Sequence, residues 1–171
     1  ETLGVAVYNS DLRAKELYFD AGIRVKVEEL LGSKAYRSQE LDRNYIRAKI
    51  FAEPVLLDKI NKLIHPAVKK DFELFKKSHS KDSYIVKETA LLFEADIART
   101  VDKVLLVTTT PELRATRLAM RDKMSEKEIA QILEKQWPDS KKMKGADWVI
   151  ANNEEKLIIP QVIKIHEALL S

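Results

Sequence analysis

Carboxylates and guanidinium groups carry most of the chemistry this chain could do. Residues 84–94 read Tyr-Ile-Val-Lys-Glu-Thr-Ala-Leu-Leu-Phe-Glu. The stretch opens as a short β-rich run, Tyr84, Ile85 and Val86, and then sets Glu88 and Glu94 around the apolar Leu91, Leu92 and Phe93. An apolar strand ending in an acidic residue presents a carboxylate at the carboxyl edge of an α/β sheet, where ligands of open sheets bind. The plainer alternative is a buried strand capped by a solvated Glu. Asp11 follows another apolar run, Val5-Ala6-Val7-Tyr8, and sits where a strand's end meets a helix start. It can act there as an acid or base, or it can simply cap the helix.

Basic residues recur at helical spacing. Arg43 and Arg47 lie four apart, and Arg114, Arg117 and Arg121 recur at three and four, so each set shares one side of a helix. Such sets either clamp phosphate or form a solvated basic stripe. His65 precedes Pro66 on an apolar helical pattern, where a histidine is more often structural than a ligand. The chain has no cysteine, which excludes disulfides, thiolate nucleophiles and Cys-ligated zinc within it and fits a reducing cytoplasm.

The elements that must position these groups alternate. Strands are predicted at 5–8, 84–86, 102–110 and 147–153, the third as a continuous apolar run suited to a strand covered on both faces. Helices are predicted at 12–18 and 23–31, the latter ended by Gly32, and from Asp42-Arg43 through Ile50-Phe51. A long helix from Glu53-Pro54 should be interrupted at His65-Pro66, because proline removes a donor and restricts the preceding residue. Thr110-Pro111 starts another helix, Ser125-x-x-Glu128 is a capping box, and residues 155–170 form an amphipathic terminal helix. Residues 139–144 read as a basic, mobile connection. The whole predicts an α/β parallel sheet with flanking helices, plus a helical lobe at 23–79 too large for a plain crossover.

The bounds agree. The chain has 171 residues, 45% apolar and 33% charged, as a globular α/β domain requires. No apolar run approaches the roughly 20 residues of a membrane span. The net charge of +3 is too small to argue for nucleic acid, although local clusters suit a phosphorylated small molecule. Glu1-Thr2-Leu3-Gly4 reads as a helix tail closed by glycine, with no basic head or apolar core of a signal peptide, and it gives the expectation that residues lie upstream.

Several fragments, in this order and spacing, resemble the dephospho-CoA kinase family of the P-loop kinase fold. They are Leu3-Gly4 leading to Asp11, Leu41-x-Arg43 with Ile50-Phe51, Ile64-His65-Pro66, and Glu88-Thr89-Ala90-Leu91-Leu92-Phe93-Glu94. Arg117-x-x-x-Arg121-Asp122, Ser125-x-x-Glu128 through Gln136, and Ala146-Asp147 through Ile150 and Asn152 complete them. The resemblance implies transfer of the ATP γ-phosphoryl group to the 3′-hydroxyl of dephospho-CoA, with Mg²⁺, in the cytoplasm. It implies a nucleotide-binding core at 1–22, 80–116 and 145–171, a helical CoA-substrate lobe at 23–79 and a small helical lid at 117–144. Asp11, Arg117 and Arg121 would be catalytic, Arg43, His65 and Leu91 substrate-binding, Asn152 an adenine contact and Glu88 the metal site. Glu88 stands here where the family has Asp, and Ala90 where it has Pro.

One required motif is missing. The phosphate-cradling Gly-x-x-x-x-Gly-Lys-Ser/Thr occurs nowhere, since no two of Gly4, Gly22, Gly32 and Gly145 have that spacing. In the family the loop lies just before the position of Glu1, so the expectation is that this unit is absent from the chain. Three other readings compete: a nucleoside monophosphate kinase of the same fold, a non-catalytic coenzyme-binding relative, and a nucleic-acid-binding helical protein suggested by the arginine row and Lys141-Lys142. Small-molecule partners, with no nucleic acid and no membrane, remain the expectation, and oligomeric state is open.

Overall fold

A computed structural model describes residues 1–122 and 125–171, without the side chains of Arg121 and Asp122. The chain divides into two compact units, Glu1–Thr89 and Ala90–Ser171.

In the first unit, strand β1 (Val7–Asn9) runs directly into helix α1 (Ser10–Leu17). The cap is Asn9, whose side chain accepts from the Leu12 amide at 2.8 Å. Asp20 caps α2 (Ala21–Leu31), which stops at Gly32 with φ +93, a backbone state strained for any side chain. A small antiparallel hairpin, β2 (Tyr36–Arg37) with β3 (Glu40–Leu41), follows. Its two-residue strands are too short to leave an alternating pattern in the sequence. Asp42 caps α3 (Arg43–Ala52), and α4 (Val55–Ser78) leads back to β4 (Val86–Glu88). β4 pairs in parallel with β1, placing Asn9 opposite Glu88. The core gathers Val27, Leu31, Ala35 and Tyr36 around Leu56, Ile60 and Ile64 of α4.

Contrary to the expectation from His65-Pro66, α4 is one uninterrupted helix of 24 residues with Pro66 inside it. Leu56, Ile60, Ile64 and Phe72 form a single buried stripe across the proline. Each such side chain contributes about 1.5–3 kcal/mol on burial, so together they outweigh the roughly 3 kcal/mol an interior proline costs. The first two predicted strands each begin two residues later than expected and run on to include Asn9 and Glu88.

In the second unit, tight turns around residues 90–96 lead to β5 (Leu105–Thr108), α5 (Pro111–Asp122), α6 (Glu126–Lys135), α7 (Asp139–Lys142), β6 (Trp148–Ala151) and α8 (Ile158–Leu170). β5 and β6 are parallel, from Leu105 opposite Trp148 to Thr108 opposite Ala151. Asp147 starts that ladder: its carboxylate accepts from the Val104 amide at 2.8 Å and from Lys103 at 2.9 Å, and these donors hold its pKa below the usual range. Thr110 accepts from Leu113 at the start of α5, and the Ser125–Glu128 capping box is present.

Two expectations fail here. β5 is not covered on both faces, because Leu105 and Val107 alternate outward as exposed residues; a continuous apolar run does not itself say which faces are packed. Residues 139–144 are not a loose connection. They form α7 and a turn of 3₁₀ helix, and Lys142 is buried against Glu94. Among the described residues no helix is long and apolar enough to cross a membrane.

Candidate active site

The first unit assembles its candidates at the carboxyl end of the β1–β4 pair. Glu88 is the last residue of β4, and Asn9, the last of β1, donates from Nδ2 to Glu88 Oε2 at 2.7 Å. Asp11 lies two residues beyond Asn9, in the first turn of α1, and is exposed. Since Asn9 does the capping, the Asp11 carboxylate is not used for it. The fold therefore brings Asp11 and Glu88 to one sheet edge.

A half-buried network steadies that edge. The Tyr8 hydroxyl donates to Asp71 Oδ2 at 2.8 Å, and Arg13 grips the same carboxylate through Nε and Nη2 at 2.8 and 2.7 Å. Strand β1, helix α1 and helix α4 are thus tied at one point. The Arg13 guanidinium, with help from the Tyr8 hydroxyl and against burial, holds the Asp71 carboxyl below its usual range. Burial, and donation to Asp71, push the Tyr8 phenol well up. Nothing in the sequence marks Asp71, because its partners lie 58 and 63 residues away. Arg43 opens α3 and His65 sits on α4, both with exposed side chains and both outside this hydrogen-bonded set.

The second unit has its own cluster. Arg117 on α5 donates from Nη1 to the Asn152 carbonyl at 3.0 Å and pairs through Nη2 with Glu154 at 3.1 Å. Thr109, Arg114, Arg117, Leu118 and Met120 line an open cleft of about 570 Å³, a size that suits a small ligand. Arg114, from the same helical row, is committed to Asp139 at 2.6 Å. Arg121 lies in the last turn of α5, and its side chain is outside the described residues. Leu91 is exposed in the turn following β4. Two of the predicted residues, Arg117 and Asn152, are therefore in direct contact, through a backbone carbonyl that sequence reasoning did not anticipate.

Glu94 is the feature sequence reading left unused. Its Oε1 accepts from Lys142 at 2.9 Å and from the Trp137 amide at 2.7 Å. Burial raises its pKa, but these donors outweigh that and leave it below the ordinary carboxylate value.

Among the described residues, no group of three or more His, Asp or Glu could hold a metal on protein ligands alone. Glu88 offers one carboxylate, steadied by Asn9, and would need further ligands from outside the protein to hold a cation.

A family model described as dephospho-CoA kinase matches residues 1–157. A dephospho-CoA kinase of Bacteroides fragilis is 32% identical over 166 residues, 96% of this chain and 81% of that protein. One from Porphyromonas gingivalis is 34% identical over 170 residues, covering 98% and 84%. The fold is shared with a solved Thermus thermophilus protein, at TM-score 0.82 and 24% identity over 99% of this chain and 87% of that one. It is also shared with the solved dephospho-CoA kinase from Campylobacter jejuni, at TM-score 0.69 and 20% identity over 98% and 86%.

Proposed function

The chain belongs to the dephospho-CoA kinase family, and from that premise we propose how its residues divide the reaction. The reaction is ATP-dependent transfer of the γ-phosphoryl group to the 3′-hydroxyl of dephospho-CoA, a step of coenzyme A synthesis. The observation that carries this is the family match over residues 1–157.

Phosphoryl transfer needs positioning and charge neutralisation more than covalent chemistry. Asp11 orients the acceptor hydroxyl and takes its proton; its exposure and its release from capping support the role. Arg117 and Arg121 neutralise the polyphosphate, where guanidinium groups bind most strongly. Arg117 is held by Asn152 and Glu154 through the edges named above, so a bound phosphate would replace Glu154 as its anionic partner. Arg43, His65 and Leu91 hold the acceptor, and Asn152 offers donor and acceptor atoms to the purine edge. Glu88 holds Mg²⁺ through water, and the ion, when bound, offsets charge on the phosphates.

The nucleotide-binding core at 1–22, 80–116 and 145–171, the acceptor lobe at 23–79 and the lid at 117–144 are the proposed division of labour. α6 within the lid would move to exclude water during transfer. The phosphate-cradling loop, absent from these 171 residues, is supplied in this reading by a segment outside them. The cytoplasm is the proposed compartment, and small molecules rather than nucleic acid or membrane are the proposed partners.

The test is a coupled assay of the full-length protein with ATP and either dephospho-CoA, AMP or CMP. Phosphate should appear on the dephospho-CoA ribose; phosphorylation of a nucleoside monophosphate alone would overturn the assignment. The missing loop favours one other reading, a relative that binds coenzyme without catalysis. Dephospho-CoA binding with no turnover by the full-length protein would establish it.

A further inference from the structure

We propose that Glu94 is a positioning residue that tethers the exit of α6 to the turn bearing Leu91, and so couples acceptor contact to the lid. Glu94 and Lys142 are almost wholly enclosed, at 11% and 9% side-chain exposure. The carboxylate spends Oε1 on both Lys142 and the Trp137 amide, while Oε2 is buried with no partner among the described residues. Trp137 lies two residues beyond the last residue of α6, and Glu94 lies three beyond Leu91. One carboxylate thus joins the two segments.

The surroundings stiffen this joint. The Phe93 and Trp137 rings stack with centroids 6.3 Å apart, and the Lys141 ammonium sits 3.2 Å from the Trp137 ring centroid. Gly145 is required by close approach: a Cβ there would meet Phe93 Cε1 at 2.7 Å. An enclosed ion pair adds little net stability, and apolar replacement of both partners is often neutral or stabilising. An orphaned carboxylate oxygen in the same place is a further cost. Holding the Trp137 amide, and with it the base of α6, is what an apolar pair of equal volume could not do.

The inference rests on α6 acting as a lid, and its test separates the tether from that reading. Two neutral double variants of the full-length protein differ in the acceptor they offer Trp137: E94Q/K142M keeps a side-chain carbonyl, and E94L/K142M has none. Both should fold. E94L/K142M should show amide exchange across residues 126–137 about tenfold faster and kcat about tenfold lower, with KM for dephospho-CoA raised less than kcat falls. E94Q/K142M should restore both toward the parent. Unchanged exchange in E94L/K142M overturns the tether. Faster exchange with parental kcat overturns the coupling while leaving the kinase assignment, measured on the unaltered protein, intact. Equal losses in the two variants overturn the role given to the Trp137 contact. Should E94L/K142M fail to fold, E94M/K142M, whose unbranched side chain fills the space of Glu94 without a carbonyl, carries the same readings.

Discussion

Asp11 illustrates how a residue's neighbours decide what it is free to do. Asn9 supplies the cap, which leaves the Asp11 carboxylate exposed in the first turn of α1. Asp11→Asn should lower kcat by about 10²–10⁴, the usual yield of general-base help, and leave KM for dephospho-CoA and the melting temperature near parental values. A kcat within threefold of the parent would remove Asp11 from the mechanism. Asp71 makes the opposite case, a carboxylate consumed by structure. Arg13 holds its folded pKa below the unfolded value of about 3.9. Its contribution is therefore full above that pH and is lost as pH falls through the lower, folded value. Asp71→Asn should cost about 1–3 kcal/mol at neutral pH, and in urea titrations the gap from the parent should close below about pH 4. A gap that persists at acid pH would mean that the charge of Asp71 is not what matters.

At the scale of elements, α4 shows burial overriding local propensity. Its apolar stripe passes straight through Pro66, whose ring is exposed. Pro66→Ala restores a helical N–H without touching the core, and should raise stability by up to about 3 kcal/mol, read from the denaturation midpoint. A lower midpoint would show that the proline is built into the packing rather than tolerated by it. The segment carrying α7 teaches the same lesson from the other side. A run of Asp, Ser and Lys residues has the composition of a loop, yet it becomes helical once Lys142 is drawn onto Glu94 and Arg114 onto Asp139.

For the molecule as a whole, charge is the relevant quantity. A net +3 is small, and two basic side chains that could belong to a nucleic-acid footprint are committed to enclosed partners: Arg114 to Asp139 and Lys142 to Glu94. Titration with duplex DNA at about 0.15 M salt should therefore give no saturable binding, because nonspecific affinity comes from released counterions. Micromolar binding that falls steeply with salt would instead favour a nucleic-acid partner over the small-molecule reading.

How much was legible beforehand depended on range. Caps, the capping box, the strand–helix alternation and the acidic residue closing β4 follow from interactions within a few residues, so composition and spacing announce them. The order of its short motifs was likewise enough to indicate the family. Contacts between residues far apart in the chain left no comparable trace. Asp71 beneath β1, Lys142 against Glu94, and the Asn152 carbonyl against Arg117 depend on where folding carries each partner. Whether a charge stays available for chemistry or is absorbed by structure is set by its distance to a partner and by its loss of water, and neither quantity exists until the chain has folded.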